Sequence, residues 1–437
     1  MIASLVEGLK LPDLRRRILF TLAAFAVYTF CLHVPVPGVD HKALENLLAK
    51  GGALFGLAEA FTGGALRNFA ITALGLMPYI NASIIMQVLQ VAIPSLERMS
   101  KEEGEWGRRK IAQWTRYLTI VLAALQGAGW VSYLRYFRVL AATGFEVVLT
   151  VLALVAGTCF LMWLAEEITE KGIGNGVSLL IAIGIVAYLP RDVISTGRLI
   201  AAGSIQPYQV FLLLLIFLGT VAFIVFIHTG QRRIPVQYAK RIIGTRLYGG
   251  TATYLPIKVD TAGVIPIIFA ISILLLPATL FRHIPPEWWD RLHVPEEWQG
   301  VIVGIFDPAS GGLTGAIASA IYFLLVVLFT YFYTAVIFNP ADLADNLRKF
   351  GGFIPGIRPG EPTREYIDRV LSRLTFAGAI FLGFIALLQY WVPKITRIPT
   401  FTVVGGTSIL IMVGVVLDTI RQLEAHLVMR HYRGLIR

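Results

Sequence analysis

Apolar residues run along this chain in long stretches that shorter polar segments separate. A helix needs roughly 20 apolar residues to cross the hydrocarbon core of a bilayer. The chain therefore reads as an all-α integral membrane protein with ten transmembrane helices. The predicted spans are Ile18–Val36, Phe69–Ile93, Tyr117–Leu134, Val147–Ala165, Gly176–Leu189 (extending towards Ser195), Val210–Ile227, Ala262–Leu280, Leu313–Phe338, Leu374–Val392 and Thr400–Leu417.

Composition agrees with this pattern. The 437 residues are 56% hydrophobic and 15% charged, whereas about a quarter of the residues of a soluble domain are charged. The two cysteines, Cys31 and Cys159, lie in apolar runs. They form neither a disulfide framework nor a zinc motif, so we expect no metal site.

The basic residues fix an orientation. Of the 38 Lys and Arg residues, 27 fall on the side that holds both termini and 11 on the other. Lys and Arg favour the cytoplasmic side, so both termini should be cytoplasmic. Arg15, Arg16 and Arg17 precede the first span as in a signal peptide. No small-residue cleavage site follows, so we expect this span to stay attached.

An internal repeat divides the spans into two sets of five. Gly, Pro, Ile and Ala occur at the same offsets in 75–82 of span two and 263–270 of span seven. Two five-helix halves, residues 1–200 and 201–437, would then be inverted around a central pore. Interrupted spans at matching positions point to a pathway at the repeat interface. Chance similarity is the alternative, because Gly and Pro are common in membrane helices.

The residues near these interruptions suit a closable aqueous path. Span two carries Asn81, Ser83 and Gln87, and span seven carries Ser272; polar side chains must turn from lipid towards water or protein. Branched apolar residues lie close by, at Ile80, Ile84, Ile268 and Ile273. A ring of such residues could close a pore by dewetting. Ordinary packing also explains any single isoleucine.

Two other function classes fit less well. A small-solute secondary transporter with inverted repeats usually carries ionisable residues at mid-membrane, and the central stretches of all ten spans lack Asp, Glu, Lys and Arg. A membrane-embedded enzyme needs a catalytic pair at membrane depth, and no His/Asp or Ser/His set occurs there. No phosphate-binding GxxxxGK[ST] loop appears either, so any nucleotide hydrolysis must come from a partner.

Two long loops, 228–259 and 339–373, lie on the predicted cytoplasmic side. Both mix basic and aromatic residues, which suits RNA or an acidic protein surface. The alternative is plain topology plus attraction to anionic lipid. Their basic residues include Arg232, Arg233, Lys240, Arg241, Arg246, Arg348, Lys349, Arg358, Arg364 and Arg369. Loop length and the turn-forming run 355–360 favour docking of a partner.

Several motifs resemble a known family. The longest are Ala73–Gln87 and Trp163–Ser178, and shorter ones are Arg233–Arg241, Leu255–Val259, Asn339–Asp342, Gly356–Gly360 and Gly405–Ser408. They are similar to motifs of the bacterial-type SecY family, from the first span to the tenth. The resemblance implies a non-enzymatic, cofactor-free channel in the bacterial plasma membrane. Such a channel passes unfolded secretory polypeptides and releases transmembrane segments sideways between spans two and seven.

The resemblance also implies residue roles. The hydrophobic pore ring would be Leu76, Ile80, Ile181, Ile268, Ile273 and Ile411. A plug at about 57–71 would include Phe61, Thr62, Gly63, Gly64, Ala65, Leu66, Arg67, Asn68 and Phe69. The lateral gate would include Asn81, Ser83, Gln87, Asn175, Ser272 and Leu276. Leu276 stands where some relatives have phenylalanine, which leaves the bulk of the ring open there.

The partners that the resemblance implies are of two kinds. Small SecE-like and SecG-like membrane subunits would complete the channel. The SecA motor ATPase or the ribosome, which deliver signal peptides and nascent polypeptides, would dock on the long loops. The docking residues would be Arg233, Lys240, Arg241, Arg246 and Arg358.

Overall fold

A computed structural model describes residues 11–50, 62–141, 144–238, 241–243, 246–248, 252–282, 295–398 and 406–434. By its internal contacts the chain divides into two compact units. One unit contains Met1–Leu213 and Val392–Arg437, and the other contains Leu214–Trp391. The division into halves at residue 200 stays a prediction.

Helices dominate the described residues. In chain order they are α1 (Pro12–Cys31), α2 (His41–Lys50), α3 (Met77–Ala92), α4 (Pro94–Lys101), α5 (Gly104–Tyr136), α6 (Phe145–Lys171), α7 (Gly176–Ala201), α8 (Pro207–Thr229), α9 (Ile265–Arg282), α10 (Glu296–Ile305), α11 (Gly312–Ile337), α12 (Pro340–Lys349), α13 (Glu361–Thr396) and α14 (Thr407–Gly434). The strands are β1 (Gln231–Tyr238), β2 (Arg241–Ile243), β3 (Arg246–Tyr248), β4 (Ala252–Lys258) and β5 (Gly352–Phe353).

Each of the ten predicted spans overlaps one helix. Among the described residues, six helices are long and apolar enough to cross a membrane: α5, α6, α7, α8, α13 and a stretch that begins with α11. The pair α3 and α4 would make a seventh, bent by 106°. Pro94 begins α4, and because proline cannot continue a helix without breaking its hydrogen bonds, the bend falls there. The prediction of an all-α membrane protein is confirmed for the spans. Among the described residues, strands occur only in the loops after α8 and α12.

Two span boundaries were wrong. Span two was predicted as helix from Phe69, but α3 begins at Met77 and turns occupy residues 71–76. Span one was predicted to end at Val36, but α1 ends at Cys31. Pro35 explains this end, because the residue before a proline disfavours helical backbone and Pro35 itself has no N–H to donate. Hydropathy does not detect either helix end, since the residues just outside each helix are also apolar.

The sequence repeat corresponds to a repeat in local structure. Gly75 has a backbone φ of +56° and Gly263 one of +63°. In each case the helix, α3 or α9, begins two residues later. Glycine adopts this left-handed conformation without steric cost, so it can turn the chain sharply into a helix. The second residue of each helix is a proline, Pro78 or Pro266, where the missing N–H costs nothing.

In the first unit, α3 packs on α5, α5 on α6, and α6 on α7, while α14 packs against α7. An apolar core lies where α5 and α6 meet the segment before α3; it includes Val36, Leu66, Phe69, Leu134 and Leu154, all of them nearly or fully buried.

In the second unit, α9 packs on α11 and on α10. Strands from both long loops form one antiparallel sheet in the order β4-β1-β5, and β2 pairs separately with β3.

Candidate pore elements and loop sheet

The predicted plug segment, of which residues 62–71 lie in the described part of the chain, is bonded to the loop after α1. The N–H of Val36 donates to the carbonyl of Phe69 at 2.9 Å, and the N–H of Ile71 donates to the carbonyl of Val34 at 3.0 Å. Backbone groups at membrane depth need such internal partners, because lipid offers none. Phe61 and the start of the segment lie outside the described residues.

Apolar packing fixes the same segment. Leu66 is 2% exposed and Phe69 is 1% exposed. Phe69 also has a φ of +41°, a conformation that costs a residue with a side chain about 1–3 kcal/mol. Burying a phenylalanine side chain contributes roughly 1.5–3 kcal/mol, which offsets that strain. Apolar packing therefore holds the described part of the plug segment in place.

An ion pair joins the plug segment to the short helix α2. The guanidinium of Arg67 donates to the carboxylate of Glu45, and a nitrogen of Arg191, in α7, lies 3.9 Å from the same oxygen. The hydrogen bond and charge of Arg67 hold the pKa of Glu45 below its usual value, with a smaller contribution from Arg191. Because Glu45 is well exposed, solvent screens this attraction, and apolar packing supplies most of the hold on the segment.

Four of the predicted ring residues lie in the first unit. Leu76 immediately precedes α3 and Ile80 lies in its first turn, where the N–H of Ile80 donates to the carbonyl of Leu76 at 3.0 Å. Leu76 is buried and Ile80 is partly buried. Ile181 on α7 and Ile411 on α14 are buried, and their two helices pack together.

The other two ring residues lie on α9 in the second unit. Ile268 is 6% exposed, whereas Ile273 is 49% exposed. Five residues of helix turn through about 140°, so these two side chains lie on different faces of α9. The pore-lining role of all six residues stays a prediction.

The structure describes only some of the side chains predicted for the lateral gate. On α3, the amide Nε2 of Gln87 donates to Ser83 Oγ at 3.2 Å, and Asn81 is half-buried and engaged in an interaction. The side chains of Ser272 and Leu276 lie outside the described part of the structure. Asn175 caps α7, since its Oδ1 accepts from the N–H of Ser178 at 3.1 Å. Asparagine before a helix is a known capping signal, so this contact could have been predicted.

The two long loops, predicted as separate docking sites, form one structure. Strand β1 pairs with β4 from Gln231↔Lys258 to Gln237↔Ala252. It also pairs with β5, through Gln237↔Phe353 and Tyr238↔Gly352.

A shared apolar core underlies this three-stranded sheet, the loop sheet. Its buried members are Ile234, Ile257, Ile354, Ile367 and Leu371. The loop sheet and the start of α13 are therefore one packed body.

Basic residues face away from that core. Arg233 is exposed while its neighbour Ile234 is 1% exposed, as expected when successive strand residues point to opposite faces. Arg358 is exposed on a turn whose backbone is fixed: the N–H of Ile357 donates to the carbonyl of Ile354, and Thr363 Oγ1 donates to that of Arg358 at 2.8 Å.

The other predicted docking residues are described less fully. Arg241 lies in β2 and Arg246 lies in β3, and the structure describes the backbone of both but not their side chains. Lys240 lies outside the described residues.

Sequence reasoning missed one buried contact beneath the loop sheet. His228 Nδ1 lies 3.6 Å from Asp260 Oδ2, and the two side chains are 7% and 1% exposed. The predicted spans and loops do not pair these two residues. Their symmetric positions, each just outside the hairpin of β1 and β4, were the available signal. In the described ranges, no three His, Cys, Asp or Glu side chains cluster as a metal site would require.

Comparison with known proteins gives a consistent result. The SecY family model matches residues 70–420. The chain is 45% identical to the protein translocase subunit SecY of Aquifex aeolicus over 98% of both proteins. It is 44% identical to that of Streptomyces coelicolor over 100% of both, and 43% identical to that of Synechococcus elongatus over 97% of this chain and 94% of the relative.

Solved structures share the fold at lower sequence identity. One, described as "The structure of a protein conducting channel", superposes with a TM-score of 0.64 at 19% identity, over 94% of this chain and 92% of that one. Another, "Sec61 in the Canine ribosome-channel complex from the endoplasmic reticulum", gives a TM-score of 0.61 at 18% identity over the same shares.

Proposed function

The chain belongs to the SecY family, and from that membership we propose that it is the central subunit of a protein translocation channel. It passes unfolded secretory polypeptides across the membrane and releases apolar segments sideways into lipid. The observation that carries this proposal is the match to translocase subunits along nearly the whole chain. A small-solute transporter is disfavoured, because the central stretches of the predicted spans carry no Asp, Glu, Lys or Arg.

The packed plug segment supports a resting, sealed state. To leave its place, the segment must break the Val36–Phe69 and Val34–Ile71 backbone bonds and uncover Leu66. Each such bond contributes about 0.5–1.5 kcal/mol net. An arriving signal sequence can drive this only if it binds the open state better than the closed one. In this scheme the isoleucine-rich ring then closes around the moving chain.

The loop sheet supports docking of an external energy source. A rigid body with exposed Arg233 and Arg358 can present fixed positive charge to phosphate-rich RNA or an acidic protein. We assign this surface to the SecA motor and the ribosome. In this scheme the chain performs no hydrolysis itself, and its partners supply the driving force.

The proposed setting is the bacterial plasma membrane, with both termini cytoplasmic. The distribution of Lys and Arg supports that orientation. SecE-like and SecG-like subunits complete the channel, and anionic lipid surrounds its basic loops. The large exposed apolar side chains on α8, among them Phe211, Leu218 and Phe226, suit contact with lipid or with a small membrane subunit.

A crosslinking experiment tests the channel assignment. A photocrosslinking residue is placed at Ile80 or, separately, at Ile268, and a secretory chain is stalled halfway across the membrane. Leu125, which is 66% exposed on α5, carries the crosslinker in the matched control. Adducts between the stalled chain and both ring positions, with none at Leu125, are expected. Failure at both positions in an intact complex with an engaged chain would remove the pore assignment and favour the transporter.

A further inference from the structure

The loop sheet is connected to two spans by very short linkers. Only Gly230 separates the end of α8 from β1, and residues 259–264 separate β4 from α9. The N–H of Val259 donates to the carbonyl of Gly230 at 3.1 Å, which continues the β1–β4 pairing to the ends of both strands. A displacement of the β1–β4 hairpin relative to the ends of α8 and α9 must therefore pass through this junction.

A buried pair lies at the junction. The 3.6 Å contact between His228 Nδ1 and Asp260 Oδ2 joins the last turn of α8 to the linker before α9. Burying a carboxylate is costly unless it is paired, and removing one partner of such a contact costs more than the contact itself contributes. Separating the two side chains would therefore be energetically costly, because both are buried.

Asp260 also contacts the turn into α9. Its second oxygen, Oδ1, accepts the N–H of Gly263 at 2.8 Å. Gly263 is the residue whose positive φ turns the chain towards that helix. One carboxylate thus holds the end of α8 through one oxygen and the start of α9 through the other.

A third span packs closely against the junction at Val259. A Cβ atom added to Gly378 of α13 would lie 2.6 Å from the carbonyl oxygen of Val259, closer than atoms can approach. Interiors packed this tightly transmit displacement instead of absorbing it. The junction is therefore in contact with α8, α9 and α13 together.

We propose that His228 and Asp260 are positioning residues that transmit movement of the loop sheet to α9, the helix that carries Ile268. This rests on the proposed function, in which a motor docks on the loop sheet. Docking then biases the position of α9 through the junction, and the exposed docking surface itself does not include the buried pair.

The test is Asp260→Asn in the reconstituted channel complex with purified SecA. Asparagine keeps an oxygen for Gly263 but removes the charge facing His228. The maximal rate of preprotein translocation should fall about tenfold, within the 5- to 150-fold range typical of coupling between sites. The SecA concentration for half-maximal rate should stay within twofold of wild type. His228→Phe added to this variant should cause little further loss, because the contact is already gone.

Two further measurements separate coupling from simple damage. In wild type, SecA should change hydrogen exchange at residues 263–268, and in Asp260→Asn that change should disappear. Asp418→Asn is the matched control, because Asp418 lies 3.6 Å from Arg421 in an ion pair of the same separation but substantial exposure; its translocation rate should not change. If Asp260→Asn does not fold, His228→Gln should give the same split between rate and half-saturation.

Several outcomes would overturn the inference. A folded Asp260→Asn channel with the wild-type maximal rate would do so. A rise in half-saturating SecA that accounts for the whole loss would mean that the pair serves docking instead. A wild-type complex that neither binds SecA nor moves a preprotein would contradict the proposed function, and the inference with it.

Discussion

Gly63 in the plug segment and Gly184 in α7 approach so closely that neither position has room for a side chain. A Cβ atom added to Gly63 would lie 2.9 Å from the Cα of Gly184, and one added to Gly184 would lie 2.8 Å from the hydroxyl oxygen of Tyr28. The plug segment and the fifth span are thus in direct backbone contact. The fit depends on two missing methyl groups.

The variant Gly184→Ala should therefore loosen the plug segment. Overpacking of this kind costs about 1–3 kcal/mol, and we expect a higher ion conductance of the resting channel in planar bilayers, with a lower unfolding temperature. Gly197→Ala is the control in the same helix, because no atom lies within 4 Å of its added Cβ. That control should be stabilised by roughly 0.5–1 kcal/mol without added leak. Equal leak from both variants would contradict the contact.

Acid should weaken the Glu45–Arg67 pair. Arg67 lowers the pKa of Glu45 below its ordinary 4.5. The stabilisation that this ion pair gives the plug segment is therefore complete above pH 4.5. It is lost as pH falls through the lowered pKa of Glu45. Resting conductance should be constant from about pH 5 to 8 and rise slightly only below about pH 4. In Glu45→Gln this rise should be absent. An equal acid-induced rise in that variant would show that other groups cause it.

The apolar ring residues should govern ion leak. Replacing Ile80 or Ile268 with serine should increase the resting conductance, because a polar side chain allows water to wet the constriction. Ile85 on α3 is 38% exposed, and Ile85→Ser is the control on the same helix, expected to leave conductance unchanged. Wild-type conductance in both ring variants would count against the ring.

Reversing the charge at Arg358 should weaken partner binding. At low salt we expect Arg358→Glu to bind SecA roughly tenfold more weakly than wild type. The difference in affinity should shrink as salt rises to about 0.5 M, since salt screens the attraction between exposed charges. Arg135→Glu, an exposed residue in the last turn of α5 on the predicted opposite side, should bind normally. If both variants lose affinity equally, general charge and not the turn is responsible.

Hydrophobic periodicity and local sequence signals predicted much of this fold. The ten apolar runs each overlap a helix, and the matching Gly and Pro of spans two and seven mark helix starts at Met77 and Ile265. Both signals are local, because they depend on backbone conformation within a few residues.

Long-range contacts could not be predicted in this way. Nothing near Gln237 indicates that it pairs with Phe353, and the register of a sheet depends on burial against residues far along the chain. The burial of Phe69 at positive φ and the contact between His228 and Asp260 are of the same kind. In each case the partner is chosen by packing, which periodicity does not report.

The pairing of β1 with β5 also bears on how the molecule is made. During synthesis, Gln237 emerges long before Phe353, and the predicted spans α9 and α11 must be placed in the bilayer in between. The loop sheet can close only after that, when the third strand arrives. A half-synthesised copy therefore lacks the finished surface that we propose for docking of a motor or ribosome, and docking would have to wait until the third strand has joined the sheet.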